Sequence, residues 1–387
     1  MRRASYAIVS QGITALASLV LQLLAARTLG AGGYGGFALC TAVLVAATAL
    51  YTGWVGDSLT VLDRFDPAVR PALSLSFFCG CLAGLVVGVL FYGWFLGILI
   101  CCWLVEETGR RLLMARREFG RLVVNDATYF AVSVAVVWVL PWSVDGFLGA
   151  MSAGAVAASA VAVFQLPRKE FLVVRPGLTG LRTVAGFATW RSAQATLRPA
   201  SLLLARVLVA SFGSLAAVGA LEGARLLLAP AQTVVNGAGS FLLPTFAAAT
   251  PSKRLADRAV WLLVGVVVLV GVIAAAFSGP LGWLVTGGRF SLPWLAVIGW
   301  SGYLATWAAT LPYVSKLVAQ KRSREVFVVR VVDSVLGAAL ASLVLAPGAG
   351  FEWVPWVMSV GGLVAALWLW RISSSAEVTE PRCVRDD

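Results

Sequence analysis

The sequence predicts an all-α polytopic membrane protein, and three observations carry that prediction. Apolar stretches of about twenty residues recur about twelve times along the 387 positions, each long enough to cross roughly 30 Å of hydrocarbon. Hydrophobic residues make up 60% of the chain and charged residues only 12%, with a mean hydropathy of +0.89, outside the range of water-soluble domains. Basic residues collect in alternate connections, as they do in a chain threaded back and forth through a bilayer. Twelve spans take about 240 positions, which leaves little for soluble domains and excludes a water-soluble domain of this size.

The spans are predicted at 6 to 26, 36 to 58, 72 to 90, 92 to 108, 122 to 141, 146 to 165, 186 to 209, 214 to 238, 259 to 279, 292 to 313, 326 to 346 and 352 to 371. The first follows Arg2 and Arg3, is too long for a signal-peptide core and lacks a small-x-small cleavage site, so it is read as a retained helix. Glycine-rich turns and arginine clusters separate the others. Trp54, Trp94, Trp103, Trp283 and Trp353 fall near predicted span ends and are expected to form an aromatic belt.

Positive charge resists translocation, so its placement sets the orientation. One side holds Arg2, Arg3, Arg64, Arg70, the cluster Arg110, Arg111, Arg116, Arg117 and Arg121, and then Arg168, Lys169, Arg175 and Arg182. It continues with Lys253, Arg254, Arg258, Lys316, Lys321, Arg322, Arg324, Arg371, Arg382 and Arg385, while the other side has only Arg27 and Arg289. Both termini are therefore expected to face the cytoplasm. The net charge of +12 is topological, since a nucleic-acid footprint needs a basic face on a soluble module.

Other chemistries are poorly represented. Cys40, Cys79, Cys81, Cys101 and Cys102 lie inside predicted spans and Cys383 lies in the tail, so no disulfide framework is implied. Histidine is absent and the thiol spacing does not converge on a tetrahedral ion, so neither a metal nor a cofactor is expected. Lys169, Lys253, Lys316 and Lys321 follow Arg, Ser, Ser and Gln, so the Gly-Lys-Ser/Thr phosphate loop of ATP-driven pumps is missing. Energy would then come from a proton, sodium or lipid gradient. A membrane glycan polymerase or glycosyltransferase would need a sizeable outer loop with carboxylate or histidine chemistry, whereas the outer acids are essentially Asp145 and Glu352; no enzyme is predicted.

The chain also repeats. Leu29-Gly30-Ala31-Gly32-Gly33-Tyr34-Gly35-Gly36 at the first outer turn is echoed by Phe212-Gly213-Ser214-Leu215-Ala216-Ala217-Val218-Gly219. The basic cluster before Asn125-Asp126 is echoed by Lys321, Arg322 and Arg324 before Asp333. Extra length in the second half is assigned to an outer loop around Ser278 to Ser291. Two six-helix halves that both start inside are parallel, and transporters built this way carry their site between the halves. The predicted organisation is a six-helix bundle over 1–167, a cytoplasmic linker over 168–185, a second bundle over 186–372 and a polar tail over 373–387.

Ala26-Arg27-Thr28-Leu29-Gly30 with Tyr34-Gly35-Gly36-Phe37, after a span opening Ser10-Gln11-Gly12, resembles the start of bacterial polysaccharide-export flippases. These belong to the multidrug/oligosaccharidyl-lipid/polysaccharide (MOP) exporter superfamily. The basic stretch before Asp126 and the segment from Gly213 to Pro230 are similar too, so the resemblance covers about residues 4 to 372. It implies a V-shaped pair of bundles in the bacterial plasma membrane. By alternating access these would move a lipid-linked oligosaccharide to the outer leaflet, alongside membrane lipids and other polysaccharide-assembly proteins.

Such a cargo carries a phosphate or pyrophosphate that cannot cross hydrocarbon bare, so the transporter needs a wet, cationic cavity. Arginine suits that cavity because it binds phosphate bidentately and keeps its proton. Arg191, Arg198 and Arg206 of the seventh span fall within a sector of about 80° and climb roughly 22 Å. Arg198, in mid-span, is the leading substrate contact, and Pro199 after it is a natural hinge. Arg191, Arg206 and Arg27 either join it or reach the head groups from the span ends. Glu222 and Arg225 form a local ion pair or, separately, an ion-coupling carboxylate and a second phosphate contact. Asp57, Asp126 and Asp333 lie near helix ends, where capping or arginine pairing competes with a coupling role. A drug or cation antiporter of the same superfamily is the nearest alternative, and it is expected to place acids deep in the N-terminal bundle, where none is read in mid-membrane.

Overall fold

In a computed structural model the chain is all helical among its described residues, which are 2–170, 175–248, 253–320, 322–346, 348 and 350–375. The expected tail from 376 onward, with Arg382, Cys383 and Arg385, lies outside them, as do Lys321 and residues 171–174 of the linker. Eight helices among the described residues are long and apolar enough to cross a membrane. The chain divides into two compact units, Met1–Arg206 and Val207–Asp387.

In the first unit, α1 runs over Arg2–Tyr51 and is interrupted at Gly30, whose φ of 68° and ψ of 177° are non-helical. That backbone conformation suits glycine alone, so the glycine-rich turn read from the sequence ends one helix and starts the next. A π-helical turn, Thr52–Gly56, and a short α2, Asp57–Val61, follow without a gap. Next come α3 (Val69–Phe91), α4 (Trp94–Ala115), α5 (Phe119–Val137) and α6 (Val144–Gln165). Ser143 caps α6 by accepting the amide of Gly146 at 3.1 Å. A long α7, Leu181–Phe212, carries Pro199 in its interior and counts with the first unit through Arg206.

Apolar area cannot drive helices together in lipid, so close approach through small residues does. A Cβ added to Gly88 of α3 would stand 2.6 Å from the Cα of Gly97 in α4, which leaves backbone against backbone. Ala17 of α1, Tyr129 of α5 and Ala155 and Ala158 of α6 form one tight cluster, against which Trp103 and Phe130 pack.

The second unit is arranged around α12 (Trp294–Ala319), which packs on α8 (Leu215–Leu226), α9 (Ala229–Ala248), α10 (Lys253–Ala276) and α14 (Val354–Ser375), with α13 (Ser323–Leu345) on α14. The single span expected over 214–238 is broken. Helix α8 stops at Leu226 and α9 begins at Ala229, with Pro230 as its second residue, where a missing N–H costs nothing. The expected outer loop near Ser278 contains a further helix, α11 (Ser278–Thr286), closed by Gly287 in the left-handed conformation. Two of the five belt tryptophans also point elsewhere. Trp54 donates to Ser76 Oγ at 3.1 Å, and the Trp103 ring stands edge-on to Tyr129 at 5.1 Å. Trp94, Trp283 and Trp353 are exposed.

Candidate functional site

Helix α7 contains Arg182, Arg191, Arg198 and Arg206 and no carboxylate. Arg198 is half-buried and Arg206 is 8% exposed. Arg198 directly precedes Pro199, which cannot donate to the carbonyl of Ala195 one turn back. Arg191 is more exposed and holds Asp57 through two guanidinium nitrogens at 2.7 and 3.0 Å. Arg27 is exposed beside the Gly30 turn. In the second unit, Arg225 binds Glu222 at 2.8 Å and reaches Gln232 at 3.3 Å, so the local ion pair read from their spacing is formed.

A second cluster lies in the first unit and forms the arginine pairing expected for Asp57 and Asp126, with Glu106 and Glu107 as members the sequence did not point to. The sequence Glu106-Glu107-Thr108-Gly109-Arg110-Arg111 continues α4 beyond its expected end at 108, and every residue from Glu106 to Arg110 is buried. Arg110 is the centre. Its guanidinium donates to Asp126 at 2.8 Å, to Glu107 at 2.9 Å and to Thr14 at 3.4 Å, and it lies 3.6 Å from Glu106. Asn125 donates to Glu106 Oε1 at 3.1 Å, and Ser10 of α1 donates to the second oxygen of Asp126. Arg111 takes the other side of Glu107 at 2.7 Å and lies 3.9 Å from Asp57, whose remaining contact is Arg191. Glu106, Glu107 and Asp126, which fall at the ends of the predicted spans 92–108 and 122–141, are each 2–3% exposed. Spacing held the signal, since Glu106 to Arg110 and Glu107 to Arg111 are i,i+4 pairs and Glu107 to Arg110 is an i,i+3 pair.

Burying several ions is tolerable only when each is met by an opposite charge and by hydrogen bonds. Here Asp57, Glu106, Glu107 and Asp126 stand against Arg110, Arg111 and Arg191, four carboxyls against three guanidiniums. Glu106 is the least compensated, because its Arg110 contact is the longest and its Oε2 is buried without a hydrogen-bond partner.

Outside the spans a third network ties the loops of the first unit. Glu170, with its side chain 1% exposed, accepts Arg64 at 2.8 Å and Arg116 at 2.8 Å. Burial pushes its carboxyl up, but the two arginines outweigh burial and hold it below the ordinary carboxylate value. Glu118 is likewise held low, by hydrogen bonds from Arg116 and Arg121.

No family profile and no curated protein matches the chain. Solved structures do. An inward-facing multidrug resistance MATE family transporter of the MOP superfamily superposes with a TM-score of 0.68 at 14% identity, over 97% of this chain and 100% of that one. The chain shares the fold of this structure. An outward-facing multidrug resistance MATE transporter gives a TM-score of 0.64 at 14% identity, over 98% and 97% of the two chains. A MOP-superfamily transporter from Pyrococcus furiosus, described as having a binding pocket of reverse polarity that suggests a different function, gives 0.59 at 12% identity over 97% and 94%.

Proposed function

We propose that the chain is an ion-coupled exporter, not an enzyme, that carries a polyprenyl-phosphate or pyrophosphate oligosaccharide across the bacterial plasma membrane to the outer leaflet. One observation carries this reading: α7 brings Arg191, Arg198 and Arg206 and no acid of its own into its span, with Arg198 beside the proline that weakens it. Charge within a span is costly and marks the path of an ion or substrate. A guanidinium that cannot lose its proton suits an acidic headgroup rather than a cation. In this reading Arg198 and Arg206 meet the phosphate. Arg191 and Arg225, each already on a carboxylate, shape the surrounding field, and Arg27 draws headgroups to the first turn. The twelve-span arrangement in two parallel bundles, with cytoplasmic termini, belongs to the same proposal.

The surplus carboxyl supports the ion coupling. With four acids on three arginines, one carboxyl binds a proton or a sodium ion, and Glu106 is the best candidate; Glu222 and Asp57, each already on an arginine, are weaker ones. The same buried acids favour a second reading, a drug or cation antiporter, whose cargo would be drawn to carboxylates. Reconstitution into vesicles separates the two. Outward appearance of a labelled polyprenyl-phosphate oligosaccharide, driven by an imposed proton or sodium gradient, supports the exporter. Gradient-driven movement of a lipophilic cation with none of the glycolipid supports the antiporter.

A further inference from the structure

The π-helical turn Thr52–Gly56 is a seat for α7. Turns of this kind widen a helix by one residue and recur at functional positions. Here the turn brings Gly53 so close to α7 that an added Cβ would stand 2.5 Å from the Cα and 2.7 Å from the amide nitrogen of Ser192. On its other side a Cβ at Gly56 would stand 3.1 Å from Arg111 Cγ. One residue past the turn, Asp57 takes Arg191 of α7, and Thr52 at its start donates to Glu107 at 3.2 Å.

The docked face of α7 is not fully satisfied. Ser192 is 3% exposed, and its hydroxyl and that of Thr196 one turn on are buried without a hydrogen-bond partner. Serine and threonine in helices usually donate to the carbonyl four residues back, and a buried hydroxyl left unpaired opposes the state that buries it. The contact therefore combines a tight backbone fit and one ion pair, which favour docking, with two orphan hydroxyls, which oppose it. Pro199 lies three residues beyond Thr196, where α7 is weakest.

A continuous chain of charge joins this seat to the buried acids. It runs from Ser10 and Asp126 through Arg110, Glu107 and Arg111 to Asp57 and Arg191, with links of 2.7–2.9 Å between Asp126 and Arg111, 3.9 Å from Arg111 to Asp57, and 2.7 Å from Asp57 to Arg191. Arg111 and Arg191 share Asp57.

We propose that the stretch of α7 from Arg191 to Thr196 is a releasable strap, docked on the π-turn by the Asp57–Arg191 clasp and set free at the Pro199 hinge when that clasp opens. The strap stands on contacts within the first unit alone. Its consequence, that release re-aims Arg198, rests on the exporter reading.

The test is the rate at which a maleimide modifies a thiol placed by Ser192→Cys, read by mass spectrometry of the peptide that contains it, in purified protein without substrate. Slow labelling is expected in the otherwise unchanged chain. Asp57→Asn and Arg191→Gln are each expected to speed it at least tenfold, and Arg111→Gln to slow it. The charge-keeping variant Arg191→Lys is expected to retain the slow rate, with circular dichroism checking that each variant is folded. An unchanged rate in Asp57→Asn, or Arg191→Lys labelling as fast as Arg191→Gln, overturns the strap. Because no substrate is present, a failure here leaves the exporter reading standing, and a failed export assay leaves the strap standing.

Discussion

Arginine appears in two settings within the first unit, and they differ in where the counter-charges come from. Around Arg110 the acids come from α4 and α5, every guanidinium face is met, and the cluster is buried from Glu106 to Arg110. Along α7 the helix supplies arginines without any acid of its own, and it does so beside a proline. The first arrangement spends its charge internally. The second sets Arg191, Arg198 and Arg206 along one helix beside a proline, with Arg191 met by an acid from another element. The abundance of arginine in a span is therefore uninformative until the origin of its counter-charges is known.

The comparison is broken most severely at Arg110. Arg110→Ala leaves three buried carboxyls without their shared cation and is expected to cost about 3–5 kcal/mol, read as a large drop in folded yield and thermal stability. If that variant unfolds like the unaltered chain, the α4 cluster is no scaffold. The carboxyls themselves sharpen the point. Glu107→Gln takes a partner from both Arg110 and Arg111 and is expected to cost about 2–3 kcal/mol, whereas Glu106→Gln, which removes the surplus charge, is expected to cost under about 1 kcal/mol. Equal losses in thermal unfolding would remove Glu106 from its place as the spare acid.

The loop network responds to acid. Glu170 is held below the ordinary carboxylate value, so its stabilisation is complete above about pH 4.5 and is lost as pH falls through the depressed value. Glu170→Gln is expected to cost about 2 kcal/mol at neutral pH and to flatten the fall in melting temperature across the acid range. The smallest effect is a gain. Arg117 is the one non-glycine residue with positive φ among the described residues, at 59°. Arg117→Gly is expected to stabilise by up to about 1 kcal/mol by relieving that conformation, measured in the same unfolding assay.

Much of this was legible in the sequence, for identifiable reasons. The membrane class follows from apolar length, and the Gly30 break follows from a turn with too many glycines to be anything else. The α7 arginines and Pro199 are visible because they interrupt an apolar run. The arginine pairing of Asp126 is legible, but Glu106 and Glu107 are masked because they end an apolar stretch and Arg110 and Arg111 resemble topological charge; only their three- and four-residue spacing signals the pairing. The break between α8 and α9 was signalled by Pro230 yet hidden by an unbroken apolar run. Nothing local announces the π-turn, because Gly53 and Gly56 are small for the sake of Ser192 and Arg111, residues far along the chain.

The central claim is that α7 offers its charge to an anionic cargo. The most direct measurement is paired transport in one set of vesicles, with a labelled polyprenyl-phosphate oligosaccharide and a lipophilic cation followed side by side, for the unaltered chain and for Arg198→Ala. Glycolipid export is expected to fall at least tenfold in Arg198→Ala, with unchanged protein insertion and no cation flux in either. Undiminished glycolipid export by Arg198→Ala, or cation flux that this variant enhances, would contradict the claim.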